Sequence, residues 1–80
     1  METEAVAKLI REGIPGARVT VTGDGSHFEA VVVSADFAGK SPLQKQRLVM
    51  ATVKPQIESG ELHALSIQTF TPDQWAEQPG

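Results

Sequence analysis

Phe28-Glu29-Ala30-Val31-Val32-Val33-Ser34 is the stretch on which the fold turns. Its alternation gives way to apolar residues on both faces at Val31, Val32 and Val33, the mark of a strand covered on more than one side. It is therefore expected to be central. Before it, Arg18-Val19-Thr20-Val21-Thr22 alternates as a strand with one buried face should. Gly23-Asp24-Gly25-Ser26 between the two is a turn signal, so the pair should form an antiparallel hairpin. After it come a loop, Asp36-Phe37-Ala38-Gly39-Lys40, and a helix start, Ser41-Pro42-Leu43-Gln44. Serine serves as N-cap, proline as first helical residue and Gln44 as the reciprocal partner of a capping box. Leu43, Arg47, Met50 and Ala51 should share one side of this helix, with Leu48 and Val49 beside it.

Pro55 has no backbone N–H to donate, so the helix should kink or restart there, and Gly60 should stop it. Leu62 to Phe70 alternates again and forms the third strand, with His63, Leu65, Ile67 and Thr69 on one face. Thr71-Pro72-Asp73-Gln74 repeats the earlier helix start and opens a short last helix carrying Trp75, beyond which Gln78-Pro79-Gly80 should fray. At the other end, Thr3 can cap a helix with Val6, Leu9 and Ile10 on its buried face, ended by Gly13 and Pro15. The order is α-β-β-α-β-α, an α+β fold. Strand two, the long helix and strand three make one crossover unit, which implies a parallel pair. A three-stranded mixed sheet with helices packed on one face follows.

With 80 residues, positions 1–80 are expected to form a single domain around one core. Hydrophobic residues make up 40 %, enough to exclude wholesale disorder. There is no cysteine, hence no disulfide framework and no thiolate nucleophile. The acidic start Met1-Glu2-Thr3-Glu4 does not resemble a secretory signal, and the expected location is the cytoplasm, with no role at a membrane.

The inventory for catalysis is thin. No serine sits in a G-x-S-x-G elbow, and no paired-carboxylate or H-E-x-x-H pattern occurs. Gly39-Lys40-Ser41 resembles the end of a phosphate loop, but Ser34 stands where the earlier glycine would be, and capping accounts for Ser41. An enzyme is therefore not expected.

Two histidines carry more information. His27 precedes strand two and His63 begins strand three. Parallel strands start at the same end of a sheet, about 4.8 Å apart, so the two imidazoles can converge on one rim. His27 can also simply close a hairpin turn, and His63 can be a half-buried strand histidine bonded to a carbonyl. If they bind metal, they supply half of a closed four-ligand site. Asp24, Glu29 and Glu61 are poorly placed fillers. A partner must then complete the site, and histidine ligation of one iron of a [2Fe–2S] cluster is an arrangement that suits this.

The net charge of −3 argues against a general polyanion binder. Yet no acidic residue lies between Phe37 and Ile57, while Lys40, Lys45, Arg47 and Lys54 do. That segment supports an alternative reading, a DNA-binding regulator, against the plainer one of a solvated helix surface.

Four stretches together resemble the BolA family, in particular its short IbaG-like branch. They are Gly23-Asp24-Gly25-Ser26-His27-Phe28; Val32-Val33-Ser34-Ala35-Asp36-Phe37-Ala38-Gly39-Lys40-Ser41; Leu43-Gln44-Lys45-Gln46-Arg47-Leu48-Val49; and Leu62-His63-Ala64-Leu65-Ser66-Ile67 followed by Thr71-Pro72-Asp73-Gln74-Trp75. The resemblance implies a fold similar to class II KH domains and a non-enzymatic adaptor. It implies pairing with a monothiol glutaredoxin and sharing of a [2Fe–2S] cluster, in iron–sulfur trafficking or in iron and stress regulation. The family's C-terminal histidine ligand maps onto His63 and its loop ligand onto His27, with glutaredoxin cysteine and glutathione completing the site. Some members are described as DNA-binding transcription regulators. Gln46 stands where many members have histidine, and Pro55 interrupts a helix that usually lacks it. Whether the free protein forms a homodimer is left open by the sequence.

Overall fold

The structure, a computed structural model, describes residues 1–78. The expected fraying of Pro79 and Gly80 lies outside the described residues. In chain order the elements are α1 (Thr3–Gly13), β1 (Arg18–Gly23), β2 (His27–Val33), a 3₁₀ turn (Ala35–Phe37), α2 (Pro42–Thr52), α3 (Lys54–Ser59), β3 (Ala64–Phe70) and α4 (Pro72–Ala76).

The sheet order is β1-β2-β3, with β2 central. β1 and β2 pair antiparallel, Arg18 opposite Val33 through Gly23 opposite Phe28. β2 and β3 pair parallel, His27 opposite Ala64 through Val33 opposite Phe70. Paired residues share a face, so Phe28, Ala30 and Val32 lie beside Leu65, Ile67 and Thr69 on one side and Gly23, Val21 and Val19 on the other. The first three are buried. They join Val6, Ile10 and Ile14 from the α1 region and Val49 and Val53 from the α2 region in a single core.

Both proline-led helix starts form as read. Ser41 Oγ accepts from Gln44 N (3.2 Å) while Gln44 Oε1 accepts from Ser41 N (2.8 Å). Thr71 and Gln74 do the same at α4. These are reciprocal bonds within four residues, so they form wherever the local backbone allows. The break at Pro55 is also present. α2 ends at Thr52 and α3 restarts at Lys54, because the proline cannot donate to the carbonyl one turn back. Gly60 closes α3 at φ 85°, a left-handed conformation that other residues adopt only with strain.

Four expectations change. Thr3 is already helical and does not cap α1: Glu2 occupies the cap position, its carbonyl accepting from Ala5 and Val6, with no side-chain bond. The loop after β2 contains a 3₁₀ turn that drives Phe37 fully into the core. On α2 the core side is Leu48, Val49 and, beyond the helix end, Val53, whereas Leu43 is 57 % exposed. β3 begins at Ala64, not Leu62. The Leu62 N–H donates to Gln56 O at the end of α3, so this residue belongs to the helix exit and its side chain is buried there.

At the far end of β3, Ser34 N donates to Phe70 O (3.0 Å), extending the ladder past Val33. Phe70 lies on the sheet face opposite the core, where its ring meets that of Trp75 on α4 at 5.3 Å between centroids. The long helices thus cover one face, and α4 clamps the end of the other.

Burial makes Phe37 the residue to test in this frame. Phe37→Ala should destabilise the protein by about 3–5 kcal/mol, whereas Leu43→Ala should change stability by less than about 0.5 kcal/mol. Urea titration followed by circular dichroism measures both, and equal effects would contradict the core described.

Candidate functional site

The hairpin turn holds His27 in place. Asp24 Oδ1 accepts from the backbone N–H groups of Ser26 and His27, both at 3.0 Å. An aspartate bonding forward in this way replaces the backbone bond of a turn. Gly25 at φ 100° supplies the reversal between them. Gly23 lets the hairpin close, since a Cβ there would press against the His27 carbonyl and the Phe28 ring. The N–H of His27 first, then that of Ser26, hold the Asp24 carboxyl below the usual aspartate value.

His27 is the first residue of β2. Since Phe28 is buried, alternation sets His27 on the uncovered face, and its side chain is exposed. His63 is also exposed and directly precedes Ala64, the residue paired with His27. The interstrand spacing plus one residue step puts the Cα atoms of His27 and His63 within about 9 Å. The parallel ladder therefore brings the starts of both strands to one end of the sheet. His63 sits just ahead of the ladder instead of within it, because Leu62 is tied to α3. Among the described residues neither ring takes part in a hydrogen bond, so the carbonyl-bonded strand histidine is not what forms.

The neighbouring carboxylates do not complete a metal site. Asp24 is committed to the turn, and Glu61 Oε1 accepts from Ser59 Oγ at 3.3 Å. Glu29 lies two positions along β2 on the face of His27 and is exposed. Among the described residues no group of three or more histidine, cysteine or carboxylate side chains is placed to hold a metal ion. Two free imidazoles at one rim, with no thiolate, are a donor set suited to part of a shared centre and not to a whole one.

The four basic residues of the acid-free segment do not gather on one surface. Lys40 Nζ donates to the carbonyl of Asp36. Lys45 lines a groove with Thr69, Phe70 and Gln74. Arg47 and Lys54 border a different depression with Met50 and Ile57, and Lys54 lies 3.8 Å from Glu58. Asp24 is the site residue whose role sequence reasoning underrated. Its signal was present, because Asp-Gly-Ser ahead of a strand is the composition of a side-chain-closed turn.

Among the described residues no helix is long and apolar enough to cross a membrane. The family model described as BolA-like protein matches residues 8–74. The chain is 34 % identical to the acid stress protein IbaG of Escherichia coli, over 95 % of this chain and 90 % of that protein. It is 45 % identical to BolA-like protein 1 of Bos taurus, over 80 % of this chain and 47 % of that longer one. A BolA homologue from Coxiella burnetii superposes with a TM-score of 0.88 at 37 % identity, covering 96 % of this chain and 99 % of the other.

The turn makes a testable statement about pH. A carboxyl whose folded pKa is depressed stabilises the fold above its ordinary pKa and loses that contribution as pH falls through the folded value. The amide signals of Ser26 and His27 should therefore follow the titration of Asp24, with a midpoint below that of an unstructured aspartate. Nuclear magnetic resonance should show this order locally around the turn, with Asp24→Ala abolishing it. A midpoint at the ordinary aspartate value would contradict the bonding described.

Proposed function

The chain belongs to the BolA family, and from that membership we propose that it is a non-enzymatic adaptor that pairs with a monothiol glutaredoxin and shares a [2Fe–2S] cluster with it. The observation that supports this reading most is the parallel β2–β3 ladder, which sets two exposed, unbonded histidines at one end of the sheet. His63 and His27 are the ligands this chain would contribute. A glutaredoxin cysteine and glutathione would provide the remainder.

The division of labour follows from donor chemistry. Neutral imidazole binds iron through one ring nitrogen. Histidine in place of cysteine at one iron raises a cluster's potential, so an adaptor that exchanges ligands also retunes the cargo. What this chain does is hold its two rings apart from internal bonds. Asp24 fixes the backbone beneath His27, and the helix exit at Gly60-Glu61-Leu62 fixes the approach to His63. Each ring stands next to a buried anchor, His63 after Leu62 at 1 % exposure and His27 before Phe28 at 2 %. His63, onto which the family's C-terminal histidine ligand maps, is the ring we rank as the stronger ligand.

Mixing the purified protein with a cluster-loaded monothiol glutaredoxin should change the visible absorption and circular dichroism of the cluster and give co-elution on gel filtration. An unchanged spectrum with no complex would refute the adaptor. His63→Ala should impair cluster coordination more than His27→Ala, and equal or reversed effects would refute that ranking.

A further inference from the structure

The outward side of α2 and α3 takes no part in the histidine rim. Leu43, Arg47, Met50, Ala51 and Lys54 recur along it at helical spacing. Leu43 is one of two large hydrophobic side chains that stand exposed among the described residues. Arg47, Met50, Ala51, Lys54, Ile57 and Glu58 line a shallow depression of about 400 Å³. Its apolar part is Met50, Ala51 and Ile57. Its cations are Arg47, with no carboxylate within 4 Å among the described residues, and Lys54, loosely paired with Glu58 at 3.8 Å. Both side chains of that pair are largely exposed, so the partner carboxylate binds Lys54 weakly. The protein carries −3 overall, yet this surface arises from a segment without a single acidic residue until Glu58.

We propose that this depression docks an acidic amphipathic helix of another protein, with apolar anchors on Met50, Ala51 and Ile57 and carboxylates towards Arg47 and Lys54. A helix laid in a groove presents anchors three and four residues apart, and an adaptable methionine suits such a contact. Arginine beside apolar side chains is also the composition enriched where interfaces carry their energy. A second copy of this chain is the poorer occupant, because a two-fold contact would bring Arg47 and Lys54 of both copies together. A nucleic acid is poorer still, because phosphates gain nothing from the Met50–Ile57 floor and meet Glu58. The proposal is independent of the histidines, so its failure leaves the adaptor reading untouched.

The full chain is titrated against two labelled synthetic helices of about 18 residues, five turns long. They share one leucine stripe and carry either glutamate or lysine on the remaining positions. Fluorescence anisotropy should show the glutamate peptide binding at least about tenfold more tightly than the lysine peptide, a difference of about 1.4 kcal/mol. Arg47→Glu and Met50→Glu should each weaken it by about tenfold or more, Arg47→Gln by less, with circular dichroism unchanged. Methyl signals of Met50, Ala51 and Ile57 should move on binding. Equal affinity for both peptides, no binding at millimolar concentration, or signals moving only elsewhere would overturn the proposal. So would displacement of the peptide by duplex DNA at lower concentration, or a dimer on gel filtration that Met50→Glu dissolves.

Discussion

Parallel pairing of β2 with β3 is the constraint from which the other features descend. A parallel partner can be reached only by a crossover, so the chain must travel from one end of the sheet to the other through α2 and α3 before β3 begins. That journey puts two helices over the face carrying Phe28, Ala30 and Val32, and it closes the core. It also makes both strands start together, which is why His27 and His63 become neighbours across 36 positions of sequence. An antiparallel partner would have sent the second histidine to the opposite end.

What could be read in advance divides by the range of the interaction. The two capping boxes, the stop at Gly60 and the restart at Pro55 are decided within a few residues, and they form as read. The shared end of β2 and β3 was legible one level up, because handedness and pairing rules restrict a crossover unit to one arrangement. Phe37 was not legible. Its neighbours are small and polar, and only the tertiary cavity beneath the 3₁₀ turn recruits it. The orientation of α2 was hidden for a related reason: Leu43, Leu48, Val49 and Met50 ring the helix, so periodicity alone does not choose a face. The structure chooses Leu48 and Val49, and leaves Leu43 in solvent. The exposure of His63 likewise depended on where the ladder stops, which the Leu62–Gln56 bond decides.

The site and the scaffold answer to different demands. The scaffold is satisfied largely from within: the caps of α2 and α4 are reciprocal and the core is continuous, with Gln56 Oε1 a buried acceptor left without a bond among the described residues. The rim is built the other way, with turn and helix exit rigid in the backbone and the rings left unbonded. Buried polar groups must find partners within the fold, whereas exposed rings can be left to water. Lys40, Lys45, Arg47 and Lys54 divide over three surfaces, Arg47 and Lys54 sharing one. Lys40 meets a loop carbonyl, Lys45 a groove beside β3, and Arg47 and Lys54 the outer side of the helices.

The contact between Trp75 and Phe70 has an optical consequence. Trp75 is the chain's single tryptophan, 37 % exposed, and it rests on the last residue of β3. β3 is seven residues long, so the indole stands about 20 Å from the histidine end. Intrinsic emission therefore watches the docking of α4, a five-residue helix, and not the histidine end of the sheet. Quenching or a red shift of that emission would register a loosened C-terminal clamp while the sheet beneath it remained intact.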